Sequence, residues 1–228
     1  MQLCVALDLP NKEENLKLAS VLKNQDIWLK VGLRSFIRDG GELLEQIHAI
    51  SANFKIFLDL KIYDIPNTMA DAAESIASLG VDMFNVHASS GTVAMQAVMK
   101  RLEKMKNRPL VLAVTALTSF DELSFAAIYE HGIAQKATQF AQDAYKSGLD
   151  GVVCSVFESN AIKQATSENF LTLTPGIRDE GDSVGDQKRV ANVTTAKEQN
   201  SDFIVVGRPI YQSSDPLGVV HKIFEKMQ

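Results

Sequence analysis

Eight short apolar runs recur along the chain, each followed by a segment of helical length. They lie at residues 3–7, 27–31, 54–60, 83–86, 110–114, 151–154, 170–173 and 203–206. Strands that alternate with helices pair in parallel through right-handed crossovers. Eight such units in 228 residues fit a closed (β/α)8 TIM barrel, an α/β fold, better than an open doubly wound sheet. No linker or low-complexity tract divides the sequence, so a single barrel domain over residues 1–228 is expected.

The segments between the runs carry end signals. Asn67 or Thr68 is expected to cap a helix that runs through Ile76 and stops at Gly80. Ser119-Phe120-Asp121-Glu122 has a capping-box pattern. Gly132 is expected to join two helical pieces, the second of which spans residues 134–145 and leads through Gly148 into the sixth strand. Asp215-Pro216 reads as a cap and first helical residue.

Composition narrows the function classes. The net charge is −5 and no basic run occurs, which argues against a nucleic-acid partner. No stretch approaches the roughly 18 apolar residues of a membrane span, and the sequence enters its first strand without a basic and apolar leader. Cys4 and Cys154 fall inside apolar runs far apart in sequence and read as reduced, buried thiols. A cytoplasmic protein is expected.

Charge is concentrated where barrel enzymes keep their active sites, at the C-terminal ends of the strands. The first strand ends at Asp8, the second carries Lys30, and the third carries Asp59 and Lys61 with Asp64 just beyond. Side chains alternate along a strand, so Asp59 and Lys61 share a face, as do Asp8, Cys4 and Ala6. Periodicity does not say which face meets the barrel axis. One charge at a strand end is usually a cap or a surface ion pair. Charges on three successive strands, with opposite signs to hold one another ionised, point to catalysis.

The last two strands end differently. Thr174-Pro175-Gly176-Ile177-Arg178 follows the seventh and Val206-Gly207-Arg208-Pro209 the eighth. Loops after these strands frequently bind phosphate; Gly207 allows close backbone approach, and Arg178 and Arg208 can fork onto phosphate oxygens. Residues 179–188, with Gly181 and Gly185, have the composition of a lid from which Gln187 could reach the phosphate. His87, ending the fourth strand, reads either as a base or as a hydrogen-bonded structural residue; His48, His131 and His221 read as surface residues. No His/Cys/Glu spacing suits a metal, and no glycine-rich nucleotide loop or nucleophile elbow occurs.

The decapeptide Asp59-Leu60-Lys61-Ile62-Tyr63-Asp64-Ile65-Pro66-Asn67-Thr68 resembles the signature of the orotidine 5′-phosphate decarboxylases. The resemblance extends through Ala6-Leu7-Asp8, Lys30-Val31-Gly32, Asn85-Val86-His87-Ala88, Leu117-Thr118-Ser119, Thr174–Arg178, Gly185–Arg189 and Val206–Ile210. It implies a cofactor- and metal-free barrel homodimer with active sites at the subunit interface. Its substrate would be orotidine 5′-monophosphate and its products uridine 5′-monophosphate and carbon dioxide. Lys61 would protonate the ring carbon and Asp59 would face the substrate carboxylate. Lys30 and Asp64 would complete the charged network, with Asp64 supplied by the partner. Asp8 and Thr68 would contact the ribose, Thr118 and Ser119 the pyrimidine, and Arg178, Gln187, Gly207 and Arg208 the phosphate. Ile65 and Pro175 are implied as further substrate contacts. The alternatives are a metal-dependent sugar-phosphate enzyme of the same superfamily and a catalytically silent nucleotide-binding barrel. Lys30 at the second strand's exit disfavours the former, and retention of Asp59 and Lys61 disfavours the latter.

Overall fold

Each of the eight expected runs forms a strand in the computed structural model, which describes residues 1–178 and 188–228. The strands are β1 (Gln2–Ala6), β2 (Trp28–Gly32), β3 (Lys55–Ile62), β4 (Met83–His87), β5 (Leu110–Val114), β6 (Gly151–Val153), β7 (Leu171–Thr174) and β8 (Phe203–Val206). They pair in chain order, every pair parallel, and β8 closes on β1. The outer layer comprises α1 (Lys12–Val21), α2 (Leu33–Ile50), α3 (Pro66–Ser78), α4 (Thr92–Leu102), α5 (Glu122–Tyr129), α6 (Ile133–Lys146), α7 (Val156–Ala165), α8 (Val193–Glu198), α9 (Arg208–Tyr211) and α10 (Pro216–Met227).

The strands are apolar on both faces because each face meets its own core. One set of side chains, including Leu29, Ile56, Leu58, Phe84 and Val111, packs outward against the helices. The other, including Cys4, Ala6, Trp28, Phe57, Met83 and Leu112, fills the barrel. This second set has the parity of Asp8, Lys30, Asp59 and Lys61, so the question left open by periodicity is answered: the charged faces point inward. Cys4 and Cys154 are buried and unbridged.

The helix starts refine the expected boundaries. Helix α3 begins earlier than Asn67 or Thr68: Pro66 is its first residue and Ile65, extended at φ −64° and ψ 155°, precedes it. Proline supplies a helical φ and lacks the N–H that a cap would satisfy, and it forces an extended residue before it. The capping box sits at Asp121 instead of Ser119. There the Asp121 carboxylate accepts from the Ser124 N–H and the Ser124 hydroxyl accepts from the Asp121 N–H. Asp215 caps α10 as expected, accepting from Gly218 N–H at 3.0 Å. Gly80 and Gly148 take φ values of 73° and 82° after α3 and α6. His131 and His221 are exposed, whereas His48 is half-buried in α2. Among the described residues no helix is long and apolar enough to cross a membrane.

Candidate active site

The inward parity opens, at the C-terminal ends of the strands, into a cavity of about 540 Å³. Its charged wall is an alternating chain across β1, β2 and β3. Lys30 Nζ lies 3.1 Å from Asp8 Oδ2 and 3.5 Å from Asp59 Oδ2, while Lys61 Nζ lies 2.5 Å from Asp59 Oδ1. Every charge therefore has an opposite neighbour, which is the condition for keeping buried groups ionised. Burial alone would push the Lys30 pKa down, but the carboxylates of Asp59 and Asp8 hold it above the ordinary lysine value. Burial likewise opposes ionisation of Asp59. The ammonium groups of Lys30 and Lys61, with hydrogen bonds from Lys61 and Asn85, hold its pKa below the usual carboxylate range. Gly32 makes room for this chain: a Cβ there would sit 2.9 Å from Asp8 Oδ1 and 3.0 Å from Lys30 Nζ.

Lys61 is reached through an irregularity in β3. Leu58 pairs with Phe84, but the next paired residues are Ile62 and Val86. Asp59, Leu60 and Lys61 thus oppose the single residue Asn85, a β-bulge of the sort common beside active sites. Lys61 takes φ 55°, a left-handed conformation that costs a non-glycine residue about 1–2 kcal/mol. Its N–H donates to Asn85 Oδ1 at 2.7 Å, and Asn85 Nδ2 donates to Asp59 Oδ1 at 2.8 Å.

The rest of the cavity is lined by Thr118 and Ser119 after β5, Pro175 and Arg178 after β7, and Gly207 and Arg208 after β8. The Thr118 loop is fastened from behind. Its carbonyl accepts from Lys188 N–H at 3.0 Å, while the Arg189 guanidinium bridges the Glu158 carboxylate and the Ala116 carbonyl. Arg178 is buried and donates to the Ile177 carbonyl. The cavity thus has a charged wall on β1–β3 and two arginines after β7 and β8, and because β8 pairs with β1 the arginine side adjoins the Asp8 end of that wall.

Asp8, Lys30, Asp59, Lys61, Thr118, Ser119, Pro175, Arg178, Gly207 and Arg208 are brought to one cavity. Asp64, Ile65 and Thr68 are not: they are exposed on the rim, and the Asp64 carboxylate accepts from Ile65 N–H at 2.7 Å. Within one subunit the charged chain therefore ends in Asp8, not Asp64. The reason is geometric, because β3 ends at Ile62 and the chain then turns outward into Pro66. Gln187 lies outside the described residues, as does the expected lid apart from its last residue. His87 takes the structural alternative. Its Nδ1 accepts from Ser89 N–H at 3.2 Å, its ring stacks on Tyr63, and burial followed by the Lys61 charge lowers its pKa.

Three neighbours escaped sequence reasoning. Asn85 carries a legible signal, a polar residue on the inward parity of a buried strand. Arg34 and Tyr211, which also line the cavity, belong to helices α2 and α9 just after their strands, where strand parity says nothing.

The orotidine 5′-phosphate decarboxylase / HUMPS family matches residues 1–223. The chain belongs to this family. Similar proteins named orotidine 5′-phosphate decarboxylase include one from Nitratiruptor, 67% identical over 227 residues, and one from Sulfurimonas denitrificans, 65% identical over 227 residues; both alignments cover 100% of each chain. The crystal structure of orotidine 5′-phosphate decarboxylase from Lactobacillus acidophilus superposes with a TM-score of 0.86 at 34% identity, covering 100% of this chain and 99% of that one. A closed barrel with inward charges on β1–β3 is thus the setting in which this family's decapeptide occurs here.

Proposed function

We propose that this chain decarboxylates orotidine 5′-monophosphate to uridine 5′-monophosphate and carbon dioxide, the last step of pyrimidine nucleotide synthesis, in the cytoplasm. The observation that carries the proposal is the alternating Asp8–Lys30–Asp59–Lys61 chain in a chain of this family.

The reaction breaks the bond between a ring carbon and its carboxylate, leaving the electron pair on the ring with little resonance help. An ammonium fixed beside that carbon stabilises the charge as it develops. In this reading Lys61 occupies that position and then transfers a proton to the carbon as general acid; the resulting amine regains its proton from solvent. Asp59 aligns Lys61 and faces the carboxylate whose charge departs with carbon dioxide. Lys30 keeps Asp59 ionised. Asp8 serves the ribose, and Thr118 and Ser119 read the pyrimidine. Pro175, Arg178, Gly207 and Arg208, with Gln187, serve the phosphate. Binding energy from the remote phosphate orients the ring over Lys61, which lowers the barrier without any contact to the reacting carbon.

No metal is proposed. Both Asp59 oxygens already face ammonium groups, so a cation there would have to displace a lysine. A homodimer is proposed in which Asp64, Ile65 and Thr68 complete the cavity of the second subunit. It is supported by large apolar side chains left exposed in the segments that follow the neighbouring strands β2, β3 and β4, namely Leu33 and Ile37 in α2, Tyr63 and Ile65 before α3, and Val93 in α4.

The test is turnover of orotidine 5′-monophosphate in excess EDTA, followed by ultraviolet absorbance. Rapid metal-free turnover is expected, with Lys61→Ala folded but slowed by at least about a thousandfold, since an electrostatic and proton-donating group is lost. Absence of turnover by folded wild-type protein overturns the proposal. Near-normal turnover by Lys61→Ala removes its proton-donor role.

A further inference from the structure

We propose that Asn85 is a positioning residue for this chemistry, its one side-chain amide pinning both the Lys61 backbone and the Asp59 carboxylate. The inference rests on the decarboxylase reading above and assigns a role to a residue that touches no substrate atom.

Asn85 is fully buried at the third position of β4, on the inward parity, opposite the three-residue bulge Asp59-Leu60-Lys61. Its two contacts fix the orientation of its amide without ambiguity. The Lys61 N–H needs an acceptor, so it meets Oδ1; the Asp59 carboxylate needs a donor, so it meets Nδ2. An uncharged donor and acceptor on one short planar group is what the place demands. Aspartate would offer the acceptor but set a second carboxylate against Asp59. Leucine would leave the Lys61 N–H and one Asp59 lone pair without partners.

The consequence reaches the reacting atoms through Lys61. Its left-handed backbone, φ 55°, is held because its N–H has a partner inside the bulge. That conformation sets where the lysine stem leaves the strand. Meanwhile Asp59 Oδ1 is shared by Lys61 Nζ at 2.5 Å and Asn85 Nδ2 at 2.8 Å. The amide therefore fixes the carboxylate to which the ammonium is anchored, as well as the backbone from which it extends. The other groups that face Asp59 are Lys30 from β2 and, beyond it, Asp8 and Cys4 from β1. Only Asn85 bonds both Asp59 and the Lys61 backbone among the described residues.

The experiment compares wild type, Asn85→Ala and Asn85→Asp as full chains in three measurements. These are kcat and KM for orotidine 5′-monophosphate, the titration of Asp59 by carboxylate carbon NMR without substrate, and thermal stability. Asn85→Asp keeps the acceptor for Lys61 and nearly the same shape, so it remains informative if the alanine variant does not fold. Expected are a fall in kcat of about a hundredfold in Asn85→Ala, the scale of a small misplacement of a catalytic group, with KM changed little. Asp59 should titrate higher in both variants. Loss of thermal stability alone, with kcat and the Asp59 titration as in wild type, overturns the proposal and leaves Asn85 a packing residue. If wild type itself does not turn over, the decarboxylase reading fails; the NMR titration then still decides whether Asn85 holds Asp59.

Discussion

A buried charge is costly in proportion to its isolation, and the four charges of β1–β3 are nowhere isolated. Asp59 is held below the usual carboxylate range and Lys30 above the ordinary lysine value. The signs follow. A lowered carboxylate pKa stabilises the folded state above its unfolded value of about 3.9 and loses that stabilisation as pH falls through the lower folded value. A raised lysine pKa stabilises below about 10.4 and is lost as pH rises through the higher folded value. As far as these two groups are concerned, kcat should be level from about pH 5 to 9; a limb inside that window that moves on mutation of Lys30 or Asp59 would contradict the ion-pair account. Gly32 offers a sharper probe. Its φ of −84° needs no glycine, so only the space for Asp8 and Lys30 is at stake. Gly32→Ala should lower kcat/KM about tenfold or more by parting that pair, while the melting temperature changes little. These charges were legible in the sequence because charge on a buried strand is rare and expensive. Asn85 was given no role there although its inward parity on a buried strand marks it, because burying a neutral amide costs far less than burying a charge and signals function less strongly. Nor does any spacing rule announce the bulge that gives it two partners.

At the scale of elements, the strands were the legible part, since each is a short run apolar on both faces and each face meets a core. Helix starts were less so. At α3, a proline took over the work expected of Asn67 or Thr68; at α5, Asp121 and Ser124 formed the box expected two residues earlier. At α3 the proline fixes the start and no side chain caps it, whereas at α5 Ser119 and Asp121 both offer a cap two residues apart and Asp121 takes it. A constraint that composition hides lies in β6, which spans only Gly151–Val153. A Cβ at Gly151 would collide with the Leu171 carbonyl and sit 2.7 Å from Leu171 Cβ. Because the obstacle is the backbone of the next strand, it cannot swing aside. Gly151→Ala should therefore cost about 1–3 kcal/mol or more, as overpacking does, seen as a lower melting temperature or denaturation midpoint. A variant as stable as wild type would mean that β6 and β7 can separate without loss.

For the whole molecule, the question is why Asp64, part of the family's decapeptide, stands exposed on the rim while Asp59 and Lys61 face the cavity. The proposed cyclic dimer would resolve it, because a two-fold axis lets each subunit supply a group that its own fold turns away. Residue patterning alone does not suggest such an arrangement, which came only from the resemblance, since strand parity ends with β3 and the direction of Asp64 is set by the turn into Pro66. The proposal has a consequence that no monomeric site shares. In a hybrid of a Lys61→Ala subunit with an Asp64→Ala subunit, one cavity carries both lesions and the other carries neither. Two nearly inactive proteins, unfolded and refolded together in equal amounts, should then recover about a quarter of wild-type activity, because half of randomly paired dimers are hybrids with one intact site each. Activity of the wild type should also fall on dilution below the dimer dissociation constant. If the co-refolded mixture is no more active than its components, although native electrophoresis finds hybrids of tagged subunits, then Asp64 serves its own subunit and the rim must fold inward when substrate binds.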